Sequence, residues 1–122
     1  MQTYQKKLGD FGEKIAEKYL NTKGYAIIYK NYRNRVGEID LVAQKDNRTI
    51  FIEVKTRTSY KFGYPEEAID QYKLEKLSNV IDEYLLENKL PPDNIQLDCL
   101  VIEFGHNSRK IKIRHIKNID LD

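Results

Sequence analysis

A chain of 122 residues with a formal net charge of +2 is the size of one domain, and it can bury roughly two-thirds of its unfolded surface without a covalent staple. A single cysteine, Cys99, excludes an internal disulfide and any thiolate cluster for zinc or iron-sulfur chemistry. No apolar run approaches a membrane span, and Met1-Gln2-Thr3-Tyr4-Gln5-Lys6-Lys7 enters an amphipathic pattern instead of a signal-peptide core, so a soluble, reducing, cytoplasmic setting is expected.

The first element reads as a helix over 6–23. Leu8, Phe11, Ile15 and Tyr19 recur at steps of three and four, with Gly12, Ala16 and Leu20 beside them, and Gly24 follows as a C-terminal glycine. Gly12 and Ala16 are small and one turn apart, which lets this face approach a sheet closely. Glu13 lies next to the stripe, where it can look along the sheet edge; the plain alternative is an exposed helix glutamate. Residues 25–33 (YAIIYKNYR) are rich in aromatic and β-branched types and read as a strand. After a short connection the chain runs through strand 38–44, turns at Asp46-Asn47 and returns over 49–56, an antiparallel meander.

That hairpin carries the chemistry. Alternation puts Glu38, Asp40 and Val42 on one face and Ile39, Leu41 and Ala43 on the other; Phe51, Glu53 and Lys55 share a face opposite Ile50, Ile52 and Val54. A turn centred on Asp46-Asn47 sets Asp40 opposite Glu53, with Cβ atoms roughly 5 Å apart. Carboxylates that close repel one another unless a cation lies between them. Their hard oxygens suit Mg2+ or Mn2+, and Lys55 beside them is placed to orient water or neutralise charge on a phosphate. The plain alternative is a surface ladder of ion pairs.

Beyond the hairpin, 57–64 (RTSYKFGY) interleaves aromatics with bases, which fits nucleobase stacking and equally fits Phe62 and Tyr64 closing the core. Pro65-Glu66-Glu67 reads as a helix start, with Ile69, Tyr72, Leu77, Val80, Ile81, Tyr84 and Leu85 as the apolar face to about Asn88. Gln71, Lys73 and Lys76 fall near its N-terminal end, on the side facing a ligand held at the hairpin. After Pro91-Pro92-Asp93-Asn94, residues 95–103 form the most apolar strand, read as central, with Cys99 as a core residue and Asp98 as a buried acid satisfied by backbone or lysine. Residues 110–116 form a charged edge strand. His106 and His115 lack ligand-like spacing. The order α-β-β-β-α-β-β describes an α/β fold: a single domain with a mixed central sheet flanked by helices.

Charge is unevenly distributed. Residues 23–61 carry nine bases against four acids, whereas residues 62–103 carry ten acids against three lysines. The hairpin side is therefore the side expected to meet a polyanion, with Arg33, Arg35, Arg57, Lys61, Lys73 and Lys76 as candidate nucleic-acid contacts. A solvated charged face is the commoner reading of any one such run.

Asp40, then Glu53-Val54-Lys55, preceded by a helix bearing Glu13, resembles the signature of the PD-(D/E)xK nuclease superfamily, whose restriction-endonuclease-like αβββαβ core is similar to the order above. More closely, Gly12-Glu13-Lys14-Ile15-Ala16 with Tyr19-Leu20, Gly24-Tyr25, Asn31, Gly37-Glu38-Ile39-Asp40-Leu41, Phe51 to Arg57, and Phe62-Gly63 with Pro65 and Ala68 resemble the YraN-like family, a largely uncharacterised group for which endonuclease is the usual label. The likeness extends to archaeal Holliday junction resolvases and implies a homodimer acting on branched DNA with magnesium. It implies Asp40, Glu53 and the Val54 carbonyl as metal ligands, Glu13 as the acid holding a water or second metal, and Lys55 as the catalytic lysine. Glu38 is a second-tier candidate. Ile39 stands where the superfamily name has proline, a departure that removes no ligand.

The rival to a magnesium-dependent endonuclease is a non-catalytic module that keeps a nuclease-like fold and binds nucleic acid or protein. A metal-independent acid-base hydrolase is disfavoured, because the paired carboxylates stand closer than most such mechanisms require.

Overall fold

The computed structural model describes residues 2–58, 69–105 and 110–121. Its elements are α1 (Tyr4–Thr22), β1 (Ala26–Arg33), β2 (Glu38–Lys45), β3 (Arg48–Arg57), α2 (Gln71–Glu87), β4 (Ile95–Phe104) and β5 (Ile111–Ile116). The strands form one five-stranded sheet in the order β1-β2-β3-β4-β5, with β3 and β4 parallel and the other neighbours antiparallel. β5 is an edge, as expected; β4 is interior but next to that edge, and the central strand is β3.

Each face of the sheet is covered by one helix. Ala16 and Leu20 of α1 pack on Leu41, Ala43, Ile50, Ile52, Leu100 and Ile102. Leu77, Val80, Ile81, Tyr84 and Leu85 of α2 pack on Ile39, Val42, Phe51 and Leu97. This is a single α/β domain of three layers, and no helix among the described residues is long and apolar enough to cross a membrane.

Local chemistry fixes the element ends. α1 closes because Gly24 takes φ +89°, which lets its N–H reach the Asn21 carbonyl and the Tyr25 N–H reach the Leu20 carbonyl. Asp46 and Asn47 both take positive φ, the conformation a two-residue hairpin turn requires. The pairing Leu41↔Ile52 through Lys45↔Arg48 is the register expected from that turn.

Three expectations change. Phe11 is half exposed and stacks on Phe104 at 5.7 Å, because the buried stripe of α1 is Gly12, Ala16 and Leu20. Tyr72 is exposed, and the described second helix is capped at Asp70, whose carboxylate accepts the Lys73 N–H at 2.8 Å; the start expected at Pro65-Glu66-Glu67 lies outside the described residues. Ile39 packs on the α2 side, away from Leu41 and Ala43, so strict alternation fails at residues 39–41.

The β1–β2 ladder is irregular nearby, its register shifting between Ile27 and Tyr29. Asn31 takes φ +52° within β1, and the β1–β2 pairing skips the position between Lys30↔Leu41 and Tyr32↔Ile39. Asparagine tolerates that conformation better than most residues. The position skipped on β2 is Asp40.

Candidate functional site

The β2–β3 ladder ends at Leu41↔Ile52, one pair before Asp40 and Glu53. In an unbroken antiparallel ladder the Val54 N–H would donate to the carbonyl of residue 39. It donates instead to Asp40 Oδ2 at 2.7 Å. The Asp40 side chain thus stands in the fork where the two strands part, and a direct cross-strand pair with Glu53 is replaced by a side-chain bridge to the neighbouring amide. The two carboxyl groups are still close enough to shift one another's pKa.

Their environments divide one proton unequally. Burial, then the hydrogen bond and negative charge of Glu53, raise the Asp40 carboxyl to about 8. Burial would also raise Glu53, but hydrogen bonds from Asp40 and Lys73 and the charges of Lys73 and Lys55 hold it below its ordinary value. Asp40 therefore keeps the proton and Glu53 the charge at neutral pH.

Lys73 answers that charge. Its Nζ lies 2.7 Å from Glu53 Oε2, whereas Lys55 Nζ lies 3.7 Å away. The sequence placed Lys73 among nucleic-acid contacts, and the structure sets it against the acid pair. α2 brings it there because Lys73 sits in the first turn, fixed by the Asp70 cap.

A cleft of ≈ 490 Å³ opens beside the fork, lined by Tyr4, Gln5, Leu8, Gly9 and Glu13 of α1 and by Asp40, Val54, Lys55, Thr56, Arg57 and Thr58. Glu13, Asp40, Val54 and Lys55 thus share one cavity. Burial, then the charges of Asp10 and Glu17, raises the Glu13 carboxyl. α1 can come this close because Gly12 has no side chain: a Cβ there would collide with Thr56 Oγ1. Gln5 and Gly9 went unnoticed in the sequence, although Gln5, Gly9 and Glu13 follow at successive steps of four and so share one helix face.

The other candidates lie apart. Arg33, Arg35, Glu38, Lys73 and Lys76 line a second groove of ≈ 410 Å³ on the α2 side. Arg33 pairs with Glu38 at 2.8 Å and Arg35 with Glu83 at 2.8 Å, while Lys76 lies over the Tyr72 ring. Glu38 is thereby engaged away from the fork, and Gln71 is exposed at the start of α2. Arg57 reaches the cleft; Lys61 and His106 lie outside the described residues.

Cys99 and Asp98 are structural. Burial pushes the Cys99 thiol up to about 12, which keeps it protonated and inert. Asp98 accepts from His115 Nε2 at 2.7 Å, Gln96 Nε2 at 2.8 Å and the Asn118 N–H at 2.9 Å, and Tyr19 Oη lies 3.2 Å from the other ring nitrogen of His115. The buried acid is satisfied by backbone, histidine and amide, not by lysine.

The donor set at the fork fits a hard divalent cation. Two carboxyl groups that perturb one another stand side by side, and an ammonium already stands in for a cation on Glu53. Among the described residues no three His, Cys, Asp or Glu side chains gather closely enough to hold a metal ion, and Glu13 faces Asp40 within the one cleft.

A profile of the Uncharacterised protein family UPF0102 matches residues 12–102, from the helix face under the cleft to the interior strand β4. The chain belongs to this family. A UPF0102 protein of Alkaliphilus oremlandii is 43% identical over 113 residues, 93% of this chain and 97% of that one. Another, from Caldanaerobacter subterraneus, is 41% identical over 117 residues, 93% of this chain and 94% of that one. UPF0102 membership bears out the YraN-like resemblance. Among solved structures, Pyrococcus furiosus SfsA in complex with Ca2+ aligns with a TM-score of 0.46 and 16% identity, covering 92% of this UPF0102 chain and 63% of that chain.

Proposed function

We propose that this UPF0102 chain is an endodeoxyribonuclease that hydrolyses DNA phosphodiester bonds with Mg2+ or Mn2+ held by Asp40, Glu53 and the Val54 carbonyl, branched DNA being the substrate the family resemblance implies. The observation that carries the reading is the fork itself: a part-buried Asp40 and a buried Glu53, flanked by lysines, with Asp40 opening on a cleft that Glu13 also lines. When bound there, such a cation polarises a phosphoryl oxygen and lowers the pKa of water. Lys55 stabilises negative charge that builds on the phosphate, and Arg57 draws the backbone into the cleft. Glu13, whose carboxyl is raised above its ordinary value chiefly by burial, orients water by hydrogen bonding. Arg33, Arg35 and Lys76 hold the strand on the α2 side.

Cleavage of labelled linear, single-stranded, flapped and four-way-junction DNA with Mg2+ or Mn2+ tests this. Wild type should cut at least one substrate, and Glu53→Ala and Lys55→Ala should lose on the order of 10²-fold or more in rate. No cutting by wild type, or equal cutting by the variants, would reject it. The non-catalytic reading draws support from one observation, the Lys73 ammonium seated on Glu53. It predicts DNA binding without turnover in the same assays. Light scattering of the free chain tests the homodimer that the resemblance implies.

A further inference from the structure

Lys73 faces two ways. Its ammonium closes the solvent side of Glu53, whose side chain is 5% exposed against 41% for Lys73 itself. The same side chain lines the α2-side groove with Arg33, Arg35 and Lys76. Its backbone is anchored by the Asp70 cap, so movement is confined to a flexible four-carbon stem. Both lysines approach Glu53 Oε2, so a hard cation binding this buried carboxylate is crowded against the Lys73 ammonium, and the two positive charges repel.

We propose that Lys73 is an exchangeable counter-ion: it neutralises Glu53 when no divalent cation is present, is displaced when one binds, and then offers its ammonium to a phosphate in the neighbouring groove. Cation loading thereby strengthens the groove's hold on a polyanion, and by reciprocity the polyanion tightens cation binding. This rests on the proposed cation-dependent function and adds a regulated order to it. Lys55 is not the exchanging group, since it stands farther from Glu53 and lines the cleft on the α1 side.

The test is calorimetric titration of Mn2+ into the full chain, Lys73→Met and Lys76→Met. Lys73→Met should bind Mn2+ on the order of tenfold more tightly than wild type. Lys76→Met removes the same charge from the same groove without touching Glu53, and should change affinity far less. In wild type, the 15N signal of the Lys73 ammonium should shift as Mg2+ binds. Equal or weaker Mn2+ binding by Lys73→Met, or an unmoved Lys73 signal while Mg2+ binds, would overturn the exchange and leave the nuclease reading standing. Absence of Glu53-dependent cation uptake in every variant would overturn both.

Discussion

The Asp40 carboxylate accepts the Val54 N–H at 2.7 Å at the point where β2 and β3 separate. One side chain therefore both terminates a ladder and presents an acid to a cleft. Asp40→Asn keeps an acceptor for the amide, whereas Asp40→Ala leaves a part-buried N–H without one. The alanine variant should lose about 1–3 kcal/mol and the asparagine variant clearly less, as read from urea unfolding midpoints.

The same residue predicts a pH dependence. Asp40 rises from 3.8 to about 8 on folding, so the folded chain retains a proton that the unfolded chain releases. Its stabilising contribution is full below the lower value and is lost as pH rises through the upper one. Without divalent cations, wild type should lose stability relative to Asp40→Asn between pH 3.8 and about 8. Saturating Mn2+, which favours the ionised form, should reverse that trend. Unfolding curves at several pH values, with and without the ion, give both differences.

How far this site was legible in the sequence depended on the range of the signal. The Asp46-Asn47 turn is local, so counting outward from it yielded the register as far as Leu41↔Ile52. The fork just beyond rests on the Asp40 side chain taking one amide, opposite an Asn31 at positive φ in the neighbouring strand, which periodicity within a single strand does not register. Likewise, helical spacing placed Lys73 at the correct end of α2, but its choice of Glu53 over the groove arises from the desolvation of that acid by the folded sheet. Gly12 and Ala16 were readable because smallness at helical spacing is itself a packing statement.

Gly12 offers a direct steric test. A Cβ there collides with Thr56 Oγ1 and sits 3.3 Å from Thr56 Cβ, so Gly12→Ala pushes α1 from β3 and carries Glu13 with it. The expected cost is about 1–3 kcal/mol, despite the better helix propensity of alanine. Thr56→Ala in the same chain should recover much of that loss. If Gly12→Ala alone is neutral in urea, α1 does not pack this closely.

Asp98 should govern acid stability. Burial alone would raise its pKa, but the hydrogen bonds from His115, the Asn118 N–H and Gln96 prevail and lower it from 3.8. The stabilisation is present above that ordinary value and is lost as pH falls through the lower folded one. Asp98→Ala orphans three donors and should cost about 3–5 kcal/mol near neutral pH. The difference between the two chains should shrink below pH 3.8, measured by acid titration of the circular dichroism signal.

The groove arginines should be distinguished from Lys76 by what each leaves behind. Arg33 pairs with a likewise exposed Glu38, a pair weak enough to share its cation with a phosphate, whereas Arg35 makes a two-point pair with Glu83, which is only 12% exposed. Lys76→Ala removes one phosphate contact and should lower the slope of log affinity against log salt for duplex DNA by about 0.9. Arg35→Ala removes the same charge but also exposes Glu83 beside the groove. It should therefore weaken binding more than Lys76→Ala at low salt, and Arg35→Ala/Glu83→Gln should recover the difference. Fluorescence anisotropy over a salt series measures both quantities, and equal losses for the two single variants would place the DNA away from the Arg35 side of the groove.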